Sequence, residues 1–252
     1  MKAMIFAAGL GTRLRPLTHD RPKALVEVSG RSLLEWNILR LKAAGYTDIV
    51  INVHHFAQRV IDFIQGLDLE GVRFYVSDER SQLLDTGGGL WHAREFLAEG
   101  EDFLLCNADI LTDLDLEALR QQHLSHDGLA TLSVRQRQTS RYLLFDEDKL
   151  LCGWQNIKTA ETKMSREQTN LTPWAFSGHH YLSPRIFPLI AERGVFSIID
   201  LYLRLAKQHE IYAFPDQEAN WLDVGKPERL ALADDLLTKM AWSHQMQESD
   251  KD

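Results

Sequence analysis

The residues with the clearest chemical potential lie near the amino terminus, directly after a short apolar run. Residues 3–8 predict a buried strand, which ends in a turn containing Gly9 and Gly11. Glycines in such a turn let the backbone approach a ligand closely and direct successive N–H groups at it, which suits phosphate oxygens. Two cations, Arg13 and Lys23, follow the turn, and both side-chain types pair well with polyphosphates. The pattern predicts a phosphate-binding loop.

Two common phosphate-binding motifs do not describe this turn. A P-loop needs a lysine followed by serine or threonine after its second glycine, whereas Thr12 and Arg13 follow Gly11 at once. The dinucleotide fingerprint needs a small residue three places after Gly11, where this chain has Leu14. A dinucleotide-binding oxidoreductase is therefore disfavoured.

The string over residues 9–23 resembles the signature of the sugar-1-phosphate nucleotidylyltransferases, G-x-G-T-R-[LM]-x-P-x-T-x-x-x-P-K. It matches every fixed position, and only the proline that often follows the lysine is replaced, by Ala24. The resemblance implies the nucleotide-diphospho-sugar transferase fold, a three-layer α/β/α arrangement with a Rossmann-like mixed sheet. It also implies a reaction in which a nucleotidyl group passes from a nucleoside triphosphate to a sugar 1-phosphate and pyrophosphate is released.

Length, composition and charge are compatible with that resemblance. The 252 residues are 44% apolar and 25% charged, as in an ordinary globular protein with a sizeable core. The net charge of -8 and the lack of a basic stripe argue against a nucleic-acid partner, so a bound nucleotide needs local cations and metal. Cys106 and Cys152 form no metal or redox spacing. Without a signal-peptide pattern or a membrane-length apolar run, we predict a cytoplasmic protein with no membrane partner.

Alternating strand and helix patterns organise the first half of the chain. They predict a mostly parallel sheet covered by helices on both faces. Ser32 is a predicted cap for a helix that Gly45 terminates. After Arg141 the pattern changes to a hairpin, and residues 156–173 are predicted to form a long loop because they are polar and lack periodicity. We predict a single domain over residues 1–240 and a disordered tail over residues 241–252.

Candidate ligand-binding residues follow the predicted strands, because ligands of doubly wound sheets bind outside the carboxyl ends of the strands. Asn52 and Asn107 occupy such positions, and Asp109 is a strand-end carboxylate of the kind that holds Mg²⁺ together with substrate phosphates. Three consecutive glycines, residues 87–89, are costly to order at a helix start, which a nucleobase or ribose pressed against bare backbone would explain. Asp113 is close enough to Asp109 in sequence to help order a metal site.

The family resemblance adds specific roles. It implies that Arg13 holds the β- and γ-phosphates and that Lys23 serves the α-phosphate and the incoming phosphate. Asn107-Ala108-Asp109 stands where the family has its metal aspartate, and residues 221–225 resemble the late W-x-D-[VI]-G motif, so Asp109 and Asp223 are the implied Mg²⁺ ligands. Gly178 resembles a position that approaches the sugar. The implied nucleotide-binding residues are Ala8, Gly9, Gly11, Thr12, Asn52, Asp85, Thr86, Gly87, Gly88 and Asn107.

The base and the sugar are less closely specified. The short chain, residues 84–89 and the Asp223-Val224-Gly225 ending most resemble the N-acetylmuramate-1-phosphate uridylyltransferases, which predicts UTP and a role in cell-wall recycling. Mannose- or heptose-1-phosphate guanylyltransferases remain alternatives. A non-catalytic nucleotide-sugar sensor on the same fold is a third, although such a protein would be expected to lack Arg13, Lys23 or a metal aspartate. The oligomeric state and the number of Mg²⁺ ions stay open.

Two histidine pairs were further candidates for a metal site. They are His54-His55 and His179-His180, and adjacent residues of a strand point to opposite faces. We therefore predict that these side chains face solvent or the sugar and do not form a four-histidine metal site.

Overall fold

The computed structural model describes residues 1–240 of the chain, which divide into two compact units. The first unit contains Met1–Leu83, Cys106–Asp115 and the chain from Ala219 onward, and the second contains Leu84–Leu105 and Leu116–Glu218. The predicted tail, residues 241–252, lies outside the described residues. That residues 1–240 form a single domain stays a prediction.

The first half of the described chain interleaves strands with helices, whereas five consecutive strands follow α5 in the second half. The strands are β1 (Lys2–Phe6), β2 (Glu27–Val28), β3 (Arg31–Ser32), β4 (Asp48–Val53), β5 (Arg73–Asp78), β6 (Phe103–Asn107), β7 (Ile110–Thr112), β8 (Ala130–Arg135), β9 (Arg141–Phe145), β10 (Leu151–Asn156), β11 (Glu161–Met164), β12 (Thr172–Leu182), β13 (Ile211–Pro215) and β14 (Trp221–Asp223). The α-helices are α1 (Leu33–Ala43), α2 (Ala57–Gln65), α3 (Asp85–His92), α4 (Arg94–Leu97), α5 (Leu116–Leu124), α6 (Ile198–Leu205) and α7 (Pro227–Leu237).

Parallel strands form the sheet of the first unit. β4 pairs with β1 on one side and with β5 on the other, and Phe6, Asn52 and Ser77 are in register. The middle of β1 and most of β4 are fully buried apolar residues, as expected for parallel strands covered on both faces. Because the strands run in one direction, their carboxyl ends lie at the same edge. The loop after β1, Asn52 and the residues after β5 therefore share that edge.

A separate apolar cluster in the first unit connects distant parts of the sequence. It packs Leu14 of the signature string with Trp36 of α1, Leu111 of β7, Leu222 of β14 and Leu237 of α7. Ser32 caps α1 as predicted, since its side chain accepts a hydrogen bond of 3.0 Å from the Glu35 N–H. This cluster supports the segments that carry the signature string and both predicted metal aspartates.

The second unit has mixed strand pairing. β8 pairs antiparallel with β12 and parallel with β13, whereas β9 pairs antiparallel with β10 and β12. Helices α3, α5 and α6 belong to the same unit. With parallel pairs in one unit and mostly antiparallel pairs in the other, the predicted α/β class with a mixed sheet is confirmed.

The long loop predicted over residues 156–173 is wrong. β10 turns back at Asn156 into β11, which pairs with it antiparallel, and β12 begins at Thr172. All four residues of β11 are exposed, so the strand carries no alternation of apolar and polar residues that a sequence could reveal.

No helix in the part of the chain that the structure describes is both long and apolar enough to cross a membrane.

Candidate active site

The signature loop is shaped by a glycine that no other residue could easily replace. Gly11 has φ of +63°, and an added Cβ would lie 2.9 Å from Cβ of Lys23 and 3.1 Å from Cγ2 of Thr18. The Thr18 hydroxyl donates to the Gly11 carbonyl at 2.8 Å, and the Leu14 N–H donates to the same oxygen at 2.9 Å. The turn is therefore closed tightly, with Lys23 directly beside it.

Backbone N–H groups of this loop fall into two sets. Those of Ala7 and Ala8 donate to Oδ1 of Asn52 at 2.7 and 3.3 Å. Those of Gly9, Leu10 and Gly11 donate to no acceptor within residues 1–240. Gly9 and Leu10 are exposed, and an added Cβ at Gly9 would meet no atom within 4 Å. Three consecutive open donors at the end of a parallel strand are suited to binding an anion.

Lys23 and Asp109 are brought together although 86 positions separate them. The Lys23 Nζ donates to Oδ2 of Asp109, and the side chains are 13% and 23% exposed. The position of Asp109 is fixed through Ala108, whose N–H donates to the Phe6 carbonyl at 3.1 Å. The carbonyl of Ala108 accepts a hydrogen bond of 3.1 Å from Nδ2 of Asn37. The cation and the carboxylate therefore meet beside the end of β1.

Asp223 reaches the same neighbourhood through the short pair β7–β14. It is in register with Ile110, and the following Val224 N–H donates to the Asp109 carbonyl at 2.8 Å. Oδ1 of Asp223 is buried and accepts no hydrogen bond from any residue that the structure describes. A buried carboxylate oxygen is costly without a partner, so this atom is suited to contact a bound cation or a hydrogen-bond donor.

The glycine of the late motif explains how Arg13 joins this group. An added Cβ at Gly225 would lie 2.6 Å from Oδ1 of Asp223 and 3.1 Å from Nη2 of Arg13. Only a glycine lets the carboxylate and the guanidinium border the same backbone position. The first and the last motif of the sequence therefore meet at Gly225.

These groups fit a Mg²⁺ ion held by few protein ligands. Within residues 1–240 no three His, Cys, Asp or Glu side chains cluster as a metal site. Asp109 and Asp223 are two carboxylates on adjoining backbone, and one of their oxygens is buried without a partner. Mg²⁺ typically takes one or two carboxylates and completes its octahedron with water and substrate phosphates. The donor set is therefore of the right kind.

Asp113, which the sequence suggested could help order a metal site, holds Asn220 in place ahead of β14. Its two carboxylate oxygens accept hydrogen bonds of 2.6 Å from the backbone N–H and from Nδ2 of Asn220. The Asn220 carbonyl in turn accepts from the Thr112 hydroxyl at 2.6 Å. This clamp precedes β14 and fixes the register that places Asp223. Asn107, predicted to contact the nucleotide, is the half-buried last residue of β6.

In the second unit, the predicted base-binding residues begin helix α3. Asp85 has φ of +59°, its Oδ1 accepts from the Thr86 N–H at 2.6 Å, and the Thr86 hydroxyl accepts from the Ile198 N–H at 3.0 Å. Helix α3 begins at Asp85, so the three glycines, which the sequence placed at a helix start, lie just inside the helix.

Gly87 and Gly88 are crowded by their own unit. An added Cβ at Gly87 would lie 2.4 Å from the Phe196 ring, and one at Gly88 would lie 2.3 Å from the Gly194 carbonyl oxygen. The Gly87 N–H also donates to the Phe196 carbonyl at 2.9 Å. Close packing within the unit therefore explains why both positions are glycine, without a ligand. Their contact with a nucleobase stays a prediction.

Gly178 interrupts the pairing of β12. It has φ of +88°, and the register with β8 shifts between Phe176 and His180, which marks a β-bulge. A contact of Gly178 with the sugar stays a prediction. The prediction that His179 and His180 face solvent or the sugar is wrong with respect to solvent, because both are buried at 0% and 1% exposure.

His180 is buried as a neutral ring. Its Nδ1 lies 2.8 Å from the Tyr202 hydroxyl, and burial lowers the pKa of the imidazole to about 3. The bulge therefore sits beside a side chain that is part of the core.

Fold and geometry together describe an α/β protein with open backbone donors beside charged side chains, and comparison with known proteins identifies its family. The pattern of the nucleotidyl transferase family matches residues 2–240. The chain is 34% identical over 235 residues to the N-acetylmuramate alpha-1-phosphate uridylyltransferase of Caulobacter vibrioides, covering 90% of this chain and 92% of that protein. It is 30% identical over 230 residues to mannose-1-phosphate guanyltransferase 2 of Candida glabrata, covering 90% of this chain and 62% of that protein.

Solved structures share the fold. The inositol-1-phosphate CTP transferase from T. maritima superimposes with a TM-score of 0.74 at 19% identity, covering 95% of each chain. With the family match spanning nearly all described residues, the chain belongs to the nucleotidyl transferase family.

Proposed function

We propose that this protein transfers a uridylyl group from UTP to a sugar 1-phosphate and releases pyrophosphate, with N-acetylmuramate 1-phosphate as the acceptor. Nucleotidyl transfer to a sugar 1-phosphate is the activity named for both relatives described above. The uridylyl relative is the more similar of the two, and its alignment spans 92% of its length as against 62% for the guanylyl relative. That difference favours UTP and the muramate sugar.

One observation carries the proposal. The signature string provides open N–H donors and two cations, and the late motif provides a carboxylate oxygen without a hydrogen-bond partner in the described chain. Residues 9–11 present free N–H groups, and Arg13 borders the backbone position that Oδ1 of Asp223 also borders. Lys23 is bonded to Asp109. Such a set neutralises and positions polyphosphate without offering a nucleophile.

The chemistry needs no more than that. An oxygen of the sugar phosphate attacks the α-phosphorus in line, the bond from the α-phosphorus to the bridging oxygen breaks, and pyrophosphate leaves with the electron pair. The attacking oxygen is already anionic, so the protein need not remove a proton. Catalysis then depends on positioning and on stabilising the charge that moves to the leaving group.

Each residue has a role in this proposal. Arg13 holds the β- and γ-phosphates and stabilises the departing pyrophosphate, and Lys23 exchanges its bond with Asp109 for the α-phosphate and the incoming phosphate. Asp109 and Asp223 would hold Mg²⁺, which when bound supplies charge neutralisation at the phosphates. Residues 84–89 and Gly178 are the proposed contacts to base and sugar.

The test is pyrophosphate release with a matrix of substrates. UTP, GTP, CTP and dTTP are each combined with the 1-phosphates of N-acetylmuramate, mannose, heptose and glucose, with Mg²⁺ and with a chelator. We expect release to require Mg²⁺ and kcat/KM to be highest for UTP with N-acetylmuramate 1-phosphate. A tenfold preference for GTP, about 1.4 kcal/mol in transition-state binding, would overturn the uridylyl assignment but not nucleotidyl transfer.

A guanylyl transferase is the second candidate, and the similarity to the Candida glabrata mannose-1-phosphate guanyltransferase is the observation that favours it. No release with any pair would instead favour a non-catalytic sensor. The cytoplasmic location, the role in cell-wall recycling and the lack of nucleic-acid and membrane partners stay predictions.

A further inference from the structure

A buried amide and a buried carboxylate lie directly behind the signature loop. Asn52, at the end of β4, is 3% exposed, and Glu79, just after β5, is 1% exposed. Nδ2 of Asn52 donates to Oε1 of Glu79 at 2.7 Å, while Oδ1 of Asn52 accepts from the N–H groups of Ala7 and Ala8. The side chains thus connect three neighbouring strand ends in one chain of hydrogen bonds.

The chemistry of the amide fixes its orientation from both sides. An asparagine side chain has one accepting oxygen and one donating nitrogen. Two backbone N–H groups require the oxygen on the loop side, and the carboxylate requires the nitrogen on the other side. Glu79 is itself held in place, because its N–H donates to the Val53 carbonyl at 2.8 Å and its carbonyl accepts from the Gln82 N–H at 3.0 Å. Neither partner can turn without breaking a bond in the interior.

This anchoring has a consequence for the loop. With the N–H groups of Ala7 and Ala8 bonded to Asn52, the N–H groups that follow, beginning with those of Gly9, Leu10 and Gly11, are left open in the described chain. Burying a carboxylate behind a ligand-facing loop costs free energy, and a packed apolar pair would avoid that cost. That cost would be offset if the buried pair determines which N–H groups of the loop are bonded and which stay open to a ligand.

We propose that Asn52 and Glu79 form a positioning pair, in which the carboxylate of Glu79 orients the Asn52 amide so that the N–H groups of residues 9–11 face the phosphates of a nucleoside triphosphate. The inference rests on the proposed function for the identity of the ligand. In this proposal neither side chain touches the substrate, so Asn52, which the family resemblance implies as a nucleotide-binding residue, acts on the nucleotide only through the loop. Both act through the backbone of Ala7 and Ala8.

The donor–acceptor match can be inverted without changing the net charge of the pair. Asn52→Asp places two carboxylates against each other and removes the donor to Glu79, so we expect kcat/KM for UTP to fall 30- to 100-fold. Glu79→Gln keeps an acceptor for the Asn52 amide and should cost threefold or less. Combining both substitutions restores a donor facing an acceptor, so the double variant should regain at least tenfold over Asn52→Asp alone.

Several readouts separate positioning from a general structural defect. The KM for the sugar 1-phosphate should stay within twofold in every variant, whereas the KM for UTP and kcat change. Asn170→Asp, in the exposed turn before β12, is the matched control and should leave kcat/KM unchanged. Asn52→Asp with wild-type kcat/KM, or a folded double variant without recovery, contradicts the proposal.

If Asn52→Asp does not fold, Glu79→Ala replaces it. Loss of the acceptor should raise the KM for UTP at least fivefold over that of Glu79→Gln, and equal values would overturn the pairing. Calorimetric titration of the wild-type protein with UTP and Mg²⁺ keeps the two hypotheses apart. No binding and no turnover means that the proposed function fails, whereas normal wild-type turnover with unaffected variants means that only the positioning pair fails.

Discussion

Two glycine-containing segments, one in each unit, look alike in the sequence but have different surroundings. At Gly9 an added Cβ would meet no atom within 4 Å, and the neighbouring N–H groups are open in the described chain. At Gly88 the same atom would collide with the Gly194 carbonyl oxygen at 2.3 Å, and at Gly87 with the Phe196 ring at 2.4 Å. In the first segment, the lack of a side chain at Gly9 leaves the backbone exposed. In the second, the lack of side chains at Gly87 and Gly88 lets residues 194–196 pack closely against the helix.

The difference teaches that a run of glycines does not by itself identify a ligand site. Charged groups accompany the first segment, since Lys23 adjoins Gly11 and Arg13 adjoins Gly225. The second segment is bonded to the Phe196 carbonyl through two N–H groups, those of Gly87 and Gly88. Substitutions in the first unit should therefore alter ligand chemistry, and those in the second should first alter stability.

The largest effects are expected at the charged groups of the first unit, among them its carboxylates. Asp223→Asn and Asp109→Asn each remove a charge from the predicted Mg²⁺ site, and turnover should fall about a thousandfold, or ~4 kcal/mol in activation free energy. Pyrophosphate release measured over a Mg²⁺ titration checks this, with Asp62→Asn on α2 as the control. Near-normal turnover at saturating Mg²⁺ would remove that residue from the site.

Substitutions of the two cations, Arg13 and Lys23, should change different kinetic parameters. Arg13→Ala should weaken stabilisation of the leaving pyrophosphate by about 3–5 kcal/mol, by analogy with other charge clamps in phosphoryl transfer. Lys23→Ala should lower kcat more than UTP affinity, because the lysine serves two phosphates that come together only during transfer. Steady-state kinetics separates the parameters. A rise in KM alone for Lys23→Ala would assign it to ground-state binding.

Two alanine substitutions, Gly88→Ala and Gly9→Ala, test whether the two glycine segments have different roles. Gly88→Ala should destabilise the fold by about 1–3 kcal/mol because the clash is with backbone, which lowers Tm by about 2–4 °C per kcal/mol. Gly9→Ala should leave Tm unchanged and raise the KM for UTP. Thermal unfolding and kinetics on both variants are the measurement. A stable Gly88→Ala with raised KM would show that both segments serve the ligand.

The smallest effect concerns pH and stability in the second unit. Since the pKa of His180 is about 3 in the folded state and about 6.5 when unfolded, the unfolded chain alone takes up a proton as pH falls below 6.5. Stability is therefore full above that pH and should fall by about 1 kcal/mol between pH 7 and 5.5. Urea unfolding of the wild type, His180→Gln and the exposed-site control His55→Gln tests it. Equal slopes in all three would exclude His180 as the cause.

Local patterns in the sequence predicted the elements with continuous local signals. β4 is a buried apolar run, and α1 follows its serine cap and ends before Gly45, as predicted. β11 had no such signal because it is wholly exposed. The β7–β14 pair could not be predicted, because three-residue strands more than a hundred positions apart leave no periodicity to detect.

In the site too, residues within sequence motifs could be predicted, whereas a residue that matters through a distant partner could not. The signature string, Asn107-Ala108-Asp109 and the late motif indicated residues that the structure places close together. Lys23 is bonded to Asp109, and Arg13 and Asp223 both border Gly225. Glu79 was not singled out within the range after β5, because its importance arises only from the amide of Asn52, a partner on the neighbouring strand. A buried acidic residue just after a strand is the one signal that could have drawn attention to it.

The apolar cluster around Trp36 has a consequence for how the protein is made. Its members come from the beginning, the middle and the end of the described chain, and Leu237 is contributed by the last helix. At about 5–20 residues per second, the ribosome needs roughly 8–30 s to add the ~150 residues from Leu83 to Leu237. The strands β8 to β13 of the second unit are contiguous and can pair while that cluster still lacks its final helix. The unit that is begun first is therefore completed only after the strands of the second unit have been synthesised.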